Sequence, residues 1–83
     1  MKVTVKYFAS IREAIGASSE SLDTSAATLA ALRDELIARG GAHAESLARG
    51  RAVRMAQNQV MSDESVALVQ GAEVAFFPPV TGG

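Results

Sequence analysis

Hydrophobic and polar residues alternate at the start of the chain, where Val3, Val5 and Tyr7 are separated by single polar residues. A period of two, carried by β-branched and aromatic residues, predicts a strand with one buried face. In the next segment, FASIREAIG, two isoleucines lie four residues apart, which predicts a short helical turn ended by Gly16. The segment SSESLDTS predicts a second strand. It is expected at a sheet edge because Leu22 is its one large apolar residue.

The pattern then changes to a helical one, in which three leucines repeat at i, i+3 and i+7 between positions 29 and 36. This spacing predicts an amphipathic helix over roughly residues 28–39. Ser25 or Thr28 can cap its start, and Gly40-Gly41 is expected to end it. Residues 40–52 are predicted to form a loop.

The last third of the chain alternates between short apolar runs and turn signals. The segment AVRMAQNQVMS predicts a strand, a tight turn at Gln57–Gln59 and a second, short strand. An apolar run in ESVALV follows, then a turn at Gln70-Gly71 and a final strand over Glu73–Phe77. The order of elements is ββαβ(β)β. It predicts a single α+β domain over residues 1–77, with one main helix packed across a sheet of about five strands.

Composition limits the chemistry that the chain can perform. It has 83 residues, a net charge of −1 and no cysteine, which excludes disulfides, thiolate metal sites and a thiol nucleophile. The single histidine, His43, lies in a loop-like stretch, so we expect it to be exposed to solvent and predict no metal site. The balanced charge argues against nucleic-acid or membrane binding. No targeting or membrane-spanning segment is seen, and a cytoplasmic location is expected.

Charged residues show no catalytic constellation. Glu35 and Arg39 have the i, i+4 spacing of a helix-surface ion pair. Arg49, Arg51 and Arg54 form the one basic cluster, which we interpret as a solvated loop face. General acid–base catalysis by this chain is therefore not predicted.

The C-terminal segment FFPPVTGG is the unusual feature, and we predict that residues 78–83 form an extended tail. Pro78 and Pro79 cannot donate hydrogen bonds to a sheet and favour an extended chain. Six residues beyond Phe77 can reach roughly 20 Å at about 3.3 Å each. Gly82 and Gly83 lack Cβ atoms and can therefore enter a slot too narrow for a side chain.

These segments resemble a known family. VAFFPPVTGG is similar to the C-terminus of the small subunits of molybdopterin synthase, which are ubiquitin-like sulfur carriers. VKYFASIREAIG, TLAALRDEL and AQNQ resemble their first strand and turn, their helix and their hairpin. The resemblance covers most of the chain, and departs from the family pattern at residues 40–52 and at VQGAEV. It implies a β-grasp, ubiquitin-like fold.

The resemblance also implies a chemistry for the terminus. In the family, an E1-like partner enzyme uses ATP to adenylate the terminal glycine, and a sulfur donor of the cysteine desulfurase or rhodanese type then displaces AMP. Gly83 would carry the resulting thiocarboxylate. The large synthase subunit, in a heterotetramer of two small and two large subunits, would provide the pocket where sulfur passes to cyclic pyranopterin monophosphate, forming the molybdopterin dithiolene. No cofactor would be bound by this chain.

Partner-binding roles follow from the same resemblance. Gly82 and Thr81 would line the partner's channel, and Val80, Pro79 and Pro78 would form the stem that leads into it. Phe8, Val60, Met61 and Phe77 are candidates for an exposed apolar patch that contacts the partner.

The two adjacent phenylalanines must serve different purposes, because neighbouring strand residues point to opposite faces. We assign Phe77 to the interface and Phe76 to the core. Two alternatives to the proposed function stay open from the sequence: a thiamine-type sulfur carrier that also ends in Gly-Gly, and a ubiquitin-like modifier joined to lysines.

Overall fold

The structure, a computed structural model, describes residues 1–79. Five strands and three helices follow in the order β1 Lys2–Tyr7, α1 Ala9–Ile15, β2 Ser19–Asp23, α2 Leu29–Ile37, α3 Gly41–Leu47, β3 Arg54–Gln57, β4 Val60–Met61 and β5 Glu73–Phe77. The strands form one mixed sheet in the spatial order β2-β1-β5-β3-β4. Central β1 and β5 are parallel, and the remaining pairs are antiparallel.

The alternating pattern of the sequence becomes the two faces of this sheet. Val3, Val5 and Tyr7 of β1 are buried, as are Val74 and Phe76 of β5. The leucines of α2 pack against this face, and Leu29, Leu32 and Leu36 are fully buried. The opposite face carries no helix among residues 1–79, and we call it the open face.

Most of the predicted elements are confirmed. The polar strand β2 lies at a sheet edge, and β5 has the predicted bounds. Gly16 ends α1 with a φ of 83°, a left-handed conformation that glycine adopts without strain. Thr28, rather than Ser25, caps α2, because its Oγ1 accepts a hydrogen bond from the N–H of Ala31 at 3.1 Å.

The prediction of a loop over residues 40–52 is wrong in its first part, which forms α3. The helix α2 ends at Ile37, before the predicted stop at Gly40-Gly41. These two glycines, with φ angles of 75° and 55°, instead begin a new helix, with Gly40 as its N-cap. Leu47 is the one buried side chain of α3, so the segment lacks the repeated large residues by which α2 is recognised. No helix within residues 1–79 is long and apolar enough to cross a membrane.

Candidate functional site

The tail begins where the central strand β5 ends. Phe77 is the last residue of β5, and Pro78 and Pro79, which follow, are half-buried. Since neither proline has an N–H group, the strand cannot continue its hydrogen bonding through them. The remaining predicted site residues lie outside the described part of the chain: Val80, Thr81, Gly82 and Gly83.

Phe76 and Phe77 divide between the two faces of the sheet. Phe76 has no exposed surface and stacks on the ring of Tyr7, with 6.2 Å between the ring centroids. Phe77 is half-buried and lies opposite Arg54 in the register of β3 and β5. The assignment of Phe76 to the core is therefore confirmed. Phe77 lies on the open face, and its contact with a partner stays a prediction.

Strand register brings Met61 to the same face as Phe77. Met61 lies opposite Ala56, and Ala56 lies opposite Ala75, two residues before Phe77. Directly paired residues share a sheet face, as do residues two apart on one strand. The small Ala56 and Ala75 leave the Met61 side chain prominent at the sheet edge, where 59% of its surface is exposed.

Phe8 completes this surface from the other side of β5. Its N–H donates to the carbonyl of Phe76 at 3.1 Å, immediately after Tyr7 pairs with Phe76. Phe8 therefore lies beside Phe77, and it is 43% exposed. We call Phe8, Met61 and Phe77 the open-face patch.

Val60 does not share this patch. It lies opposite Gln57, which in turn pairs with the buried core residue Val74, so Val60 projects toward the helix side of the sheet edge. Its side chain is 65% exposed. Strand alternation alone puts Val60 and Met61 on opposite faces, but which of the two lies on the face of Phe77 depends on the register set by the turn before them.

That turn is fixed by Asn58. Asn58 and Gln59 both have positive φ angles, 50° and 68°, as a two-residue hairpin turn of type I′ requires. Asparagine tolerates this conformation, and here the Oδ1 atom of Asn58 also accepts a hydrogen bond from the N–H of Glu73 at 3.0 Å. The N–H of Asn58 donates to the carbonyl of Glu73 at 2.8 Å. The hairpin is thus tied to β5, which holds Met61 on the open face.

The titratable cluster of the chain lies on the other side of the sheet. Glu20 accepts hydrogen bonds from the Tyr7 hydroxyl and from Nη1 of Arg39, both at 2.7 Å. The Nε2 atom of His43 lies 3.2 Å from Oε2 of Glu20. The prediction that His43 is exposed is wrong, because α3 packs it edge-on against the Tyr7 ring with 19% of its side chain accessible.

Two opposing effects act on Glu20. Burial raises the pKa of its carboxyl, but hydrogen bonds from Tyr7, Arg39 and His43 together lower that pKa below its ordinary value. Burial, and then the Glu20 carboxylate, raise the pKa of the Tyr7 hydroxyl well above its ordinary value.

The predicted pair of Glu35 with Arg39 does not form, because Arg39 pairs with Glu20 instead. The cluster joins β1, β2, the turn after α2 and α3, and its groups bind one another.

A buried arginine was missed by the sequence analysis. Arg33 of α2 is 3% exposed, and its guanidinium donates to the carbonyls of Leu47 and Ala48 at 2.8 Å each. It thereby satisfies carbonyls at the C-terminal end of α3. Position 33 lies four residues after Leu29 and three before Leu36, on the apolar stripe of α2, and that spacing was the available signal.

The basic cluster is only partly a solvated face. Arg49 donates to Oδ1 of Asp34 at 2.8 Å and also contacts the carboxylate of Glu64. These pairs tie the segment after α3 to α2. Among residues 1–79, no group of three or more histidine or acidic side chains could hold a metal ion.

Comparison with known proteins identifies the family. The sequence model described as the ThiS family matches residues 5–83. The molybdopterin synthase sulfur carrier subunit of Haemophilus influenzae is 40% identical over 98% of this chain and 99% of its own length. The protein of the same name from Escherichia coli is 37% identical with the same coverage of both chains.

Solved structures agree on the fold. SAMP1 from Haloferax volcanii superposes with a TM-score of 0.78 at 26% identity, with 100% of both chains covered. Subunit 1 in the complex of subunits 1 and 2 of molybdopterin-converting factor from Helicobacter pylori has a TM-score of 0.69 at 27% identity, again over 100% of both chains. The mixed five-stranded sheet with its helices on one face is the ubiquitin-like β-grasp. The chain belongs to the ThiS family and, within it, to the molybdopterin synthase sulfur carrier subunits.

Proposed function

We propose that the carboxyl group of Gly83 carries sulfur to a pterin. A free α-carboxyl is ionised and unreactive at neutral pH, with a pKa of about 3.3–3.7. An E1-like adenylating enzyme activates it with ATP, which gives an acyl-adenylate and pyrophosphate. The persulfide of a sulfur donor, a cysteine desulfurase or rhodanese, displaces AMP to give an acyl disulfide. A thiol then cleaves that bond, which leaves a thiocarboxylate on Gly83 and a disulfide on the donor.

Two thiocarboxylated chains then each donate one sulfur to cyclic pyranopterin monophosphate, which forms the dithiolene of molybdopterin and returns each Gly83 to a carboxylate. This step takes place in a pocket of the large subunit, in a complex of two small and two large subunits. The complex of subunits 1 and 2 from Helicobacter pylori supports the pairing with a large subunit. The large subunit supplies the acid–base groups, and this chain supplies the sulfur atom and the reach of its tail.

One observation carries the proposal: the family match extends to Gly83 and covers the stem, whose root at Phe77 is fixed by the sheet. Phe77 ends a strand paired on both sides, with β1 and with β3, so the root of the tail is anchored by the centre of the sheet. Pro78 and Pro79 limit bending directly after that anchor. A reactive terminus on a rigid base is positioned at lower entropic cost than one on a flexible linker.

The open-face patch is the partner-binding surface in this proposal. Phe8, Met61 and Phe77 lie beside the root of the tail, so a partner that receives residues 78–82 in a channel would cover them at the same time. Val60 would contact that partner only if the interface wrapped around the β4 edge.

A second candidate function is protein modification. The similar SAMP1 from Haloferax volcanii is also named small archaeal modifier protein 1. In that case the same activated Gly83 would acylate a lysine rather than take up sulfur. The names of both curated relatives favour the sulfur carrier. Isopeptide-linked conjugates in extracts of the host, without a thiocarboxylate form of the free chain, would favour the modifier.

The position of a tag tests the proposal. A C-terminal tag converts the Gly83 carboxyl into a peptide bond and leaves nothing to adenylate. We expect the C-terminally tagged protein to form no molybdopterin in a reconstituted reaction, and the N-terminally tagged protein to form it normally. Full activity of a tagged protein whose C-terminal tag is shown by mass to be intact would refute the sulfur-carrier function.

A further inference from the structure

Arg54 is a cation on the open face beside the root of the tail. It is the first residue of β3 and lies opposite Phe77 in the strand register. The next residue, Met55, is 3% exposed and points into the core, so Arg54 points to the open face, where it is exposed.

The surroundings of Arg54 combine apolar and polar groups. It lines a shallow depression of about 380 Å³, together with Val53, Met55 and Met61 and with residues 62–64. This volume is large enough for a partner side chain to enter. Met61 also belongs to the open-face patch, so the depression is continuous with the proposed partner-binding surface.

Neither acidic residue at the rim of the depression pairs with Arg54. Oδ1 of Asp63 accepts hydrogen bonds from the N–H and the hydroxyl of Ser65, both at 2.9 Å. Glu64 pairs with Arg33 and Arg49. Within the described residues, Arg54 therefore has no carboxylate partner.

This sets Arg54 apart from the other arginines. Three of the six pair with carboxylates of the chain, namely Arg33, Arg39 and Arg49. Among residues 1–79, Arg12, Arg51 and Arg54 have no such pair. Arg12 belongs to α1, and Arg51 lines a depression between α1 and α3. Only Arg54 of these three lies on the open face.

We propose that Arg54 binds a carboxylate side chain of the large subunit and thereby helps to select that partner. The inference rests on the proposed function, because it assumes that the open face is where the large subunit docks. A guanidinium beside apolar side chains is a frequent energetic centre of an interface. It can hold a carboxylate through two parallel hydrogen bonds, in a geometry that lysine cannot reproduce.

The test measures the affinity of the large subunit from the same host by titration calorimetry. The unaltered chain is compared with Arg54→Ala and Arg54→Glu at low and high salt. We expect Arg54→Ala to weaken binding about tenfold or more, the scale of a lost charge-assisted hydrogen bond. Arg54→Glu should weaken it further, and the difference between the variants should shrink as salt rises.

Arg51→Glu is the matched control, because it makes the same charge change three residues away on the helix side. We expect it to bind as the unaltered chain does, and all three variants to keep the melting temperature of the parent. Unchanged affinity of Arg54→Glu, or an equal loss in Arg51→Glu, would overturn the role of Arg54 while leaving the proposed function intact. Failure of the unaltered chain to bind would instead overturn the assignment of the large subunit as partner, and this inference with it.

Discussion

Phe76 and Phe77 are consecutive residues of β5 that face opposite sides of the sheet, one fully buried in the core and the other beside the root of the tail on the open face. Two phenylalanine side chains thus have different roles: that of Phe76 stabilises the core, and that of Phe77 is available for binding. The pair allows the two roles to be separated by identical substitutions.

Phe76→Ala should destabilise the free protein by about 3–5 kcal/mol, since it leaves a cavity in the core. Phe77→Ala should change the free energy of unfolding little and should weaken binding of the large subunit by about 1.5–3 kcal/mol. Denaturant unfolding and calorimetric titration measure the two effects. Loss of stability in Phe77→Ala, with unaltered binding by the folded fraction, would assign Phe77 to the core.

The sequence predicts correctly those elements in which apolar residues recur at a regular spacing. The alternation in β1, the leucine spacing of α2 and the proline pair after β5 each have one physical interpretation, and the structure confirms them. Helix α3 was missed because Leu47 is its one buried side chain. The predicted ion pair of Glu35 with Arg39 was also wrong, because α2 ends at Ile37 and Arg39, beyond the helix, pairs with Glu20 of β2.

The sequence predicts which residues belong to the candidate site, but it does not predict which face of the sheet each of them occupies. The stem and its prolines can be recognised from the sequence, and Phe8, Met61 and Phe77 are indeed on one face. Val60 cannot share that face with Met61, because adjacent strand residues alternate, and only the strand register identifies Met61 as the one beside Phe77.

Arg33 should be essential to the packing of α3. Arg33→Ala removes the donors to the carbonyls of Leu47 and Ala48 and leaves those groups without their partners. We expect a loss of about 2–5 kcal/mol in the free energy of unfolding, since each buried carbonyl left without a donor costs about 1–3 kcal/mol. Arg33→Lys should recover only part of it, because an ammonium cannot form the same fork of hydrogen bonds.

Chemical denaturation measures this effect, with Arg12→Ala, an exposed change in α1, as the control. If Arg33→Ala and Arg12→Ala had the same free energy of unfolding, the buried guanidinium would make no net contribution to stability.

Stability should fall in acid partly because of Glu20. Burial raises the pKa of its carboxyl, but the hydrogen bonds from Tyr7, Arg39 and His43 lower it by more. The pKa is therefore lower in the folded protein than in the unfolded chain. Its contribution is therefore fully present above the unfolded pKa of about 4.3 and is lost as pH falls through the lower folded value. We expect Glu20→Gln to be less stable than the parent at pH 7 and to lose less stability on acidification.

Denaturant unfolding at a series of pH values from neutral to strongly acidic tests this. Parallel curves for the parent and Glu20→Gln over that whole range would show that Glu20 is not responsible for any of the acid sensitivity.

Gly82 should be sensitive to the addition of a single methyl group. We expect Gly82→Ala to keep the melting temperature of the parent, because terminal residues contribute little to stability. It should react more slowly in adenylation or sulfur transfer, since a displacement of about 1 Å at a reacting group can cost on the order of a hundredfold in rate. Single-turnover kinetics separate the two steps, and Gly82→Leu should be slower still. Charging and transfer by Gly82→Leu at the parental rates would rule out a narrow channel.

The central claim, that sulfur is carried on the carboxyl of Gly83, is tested most directly by the intact mass of the chain. The untagged protein is incubated with the adenylating enzyme, ATP, the sulfur donor of its host and a thiol reductant, and a reaction without ATP is the control. The account predicts a gain equal to the replacement of one oxygen by one sulfur, located on Gly83 by fragmentation, and its reversal when the large subunit and the pterin precursor are added. An unmodified chain, in a mixture that charges the Escherichia coli sulfur carrier, would contradict it.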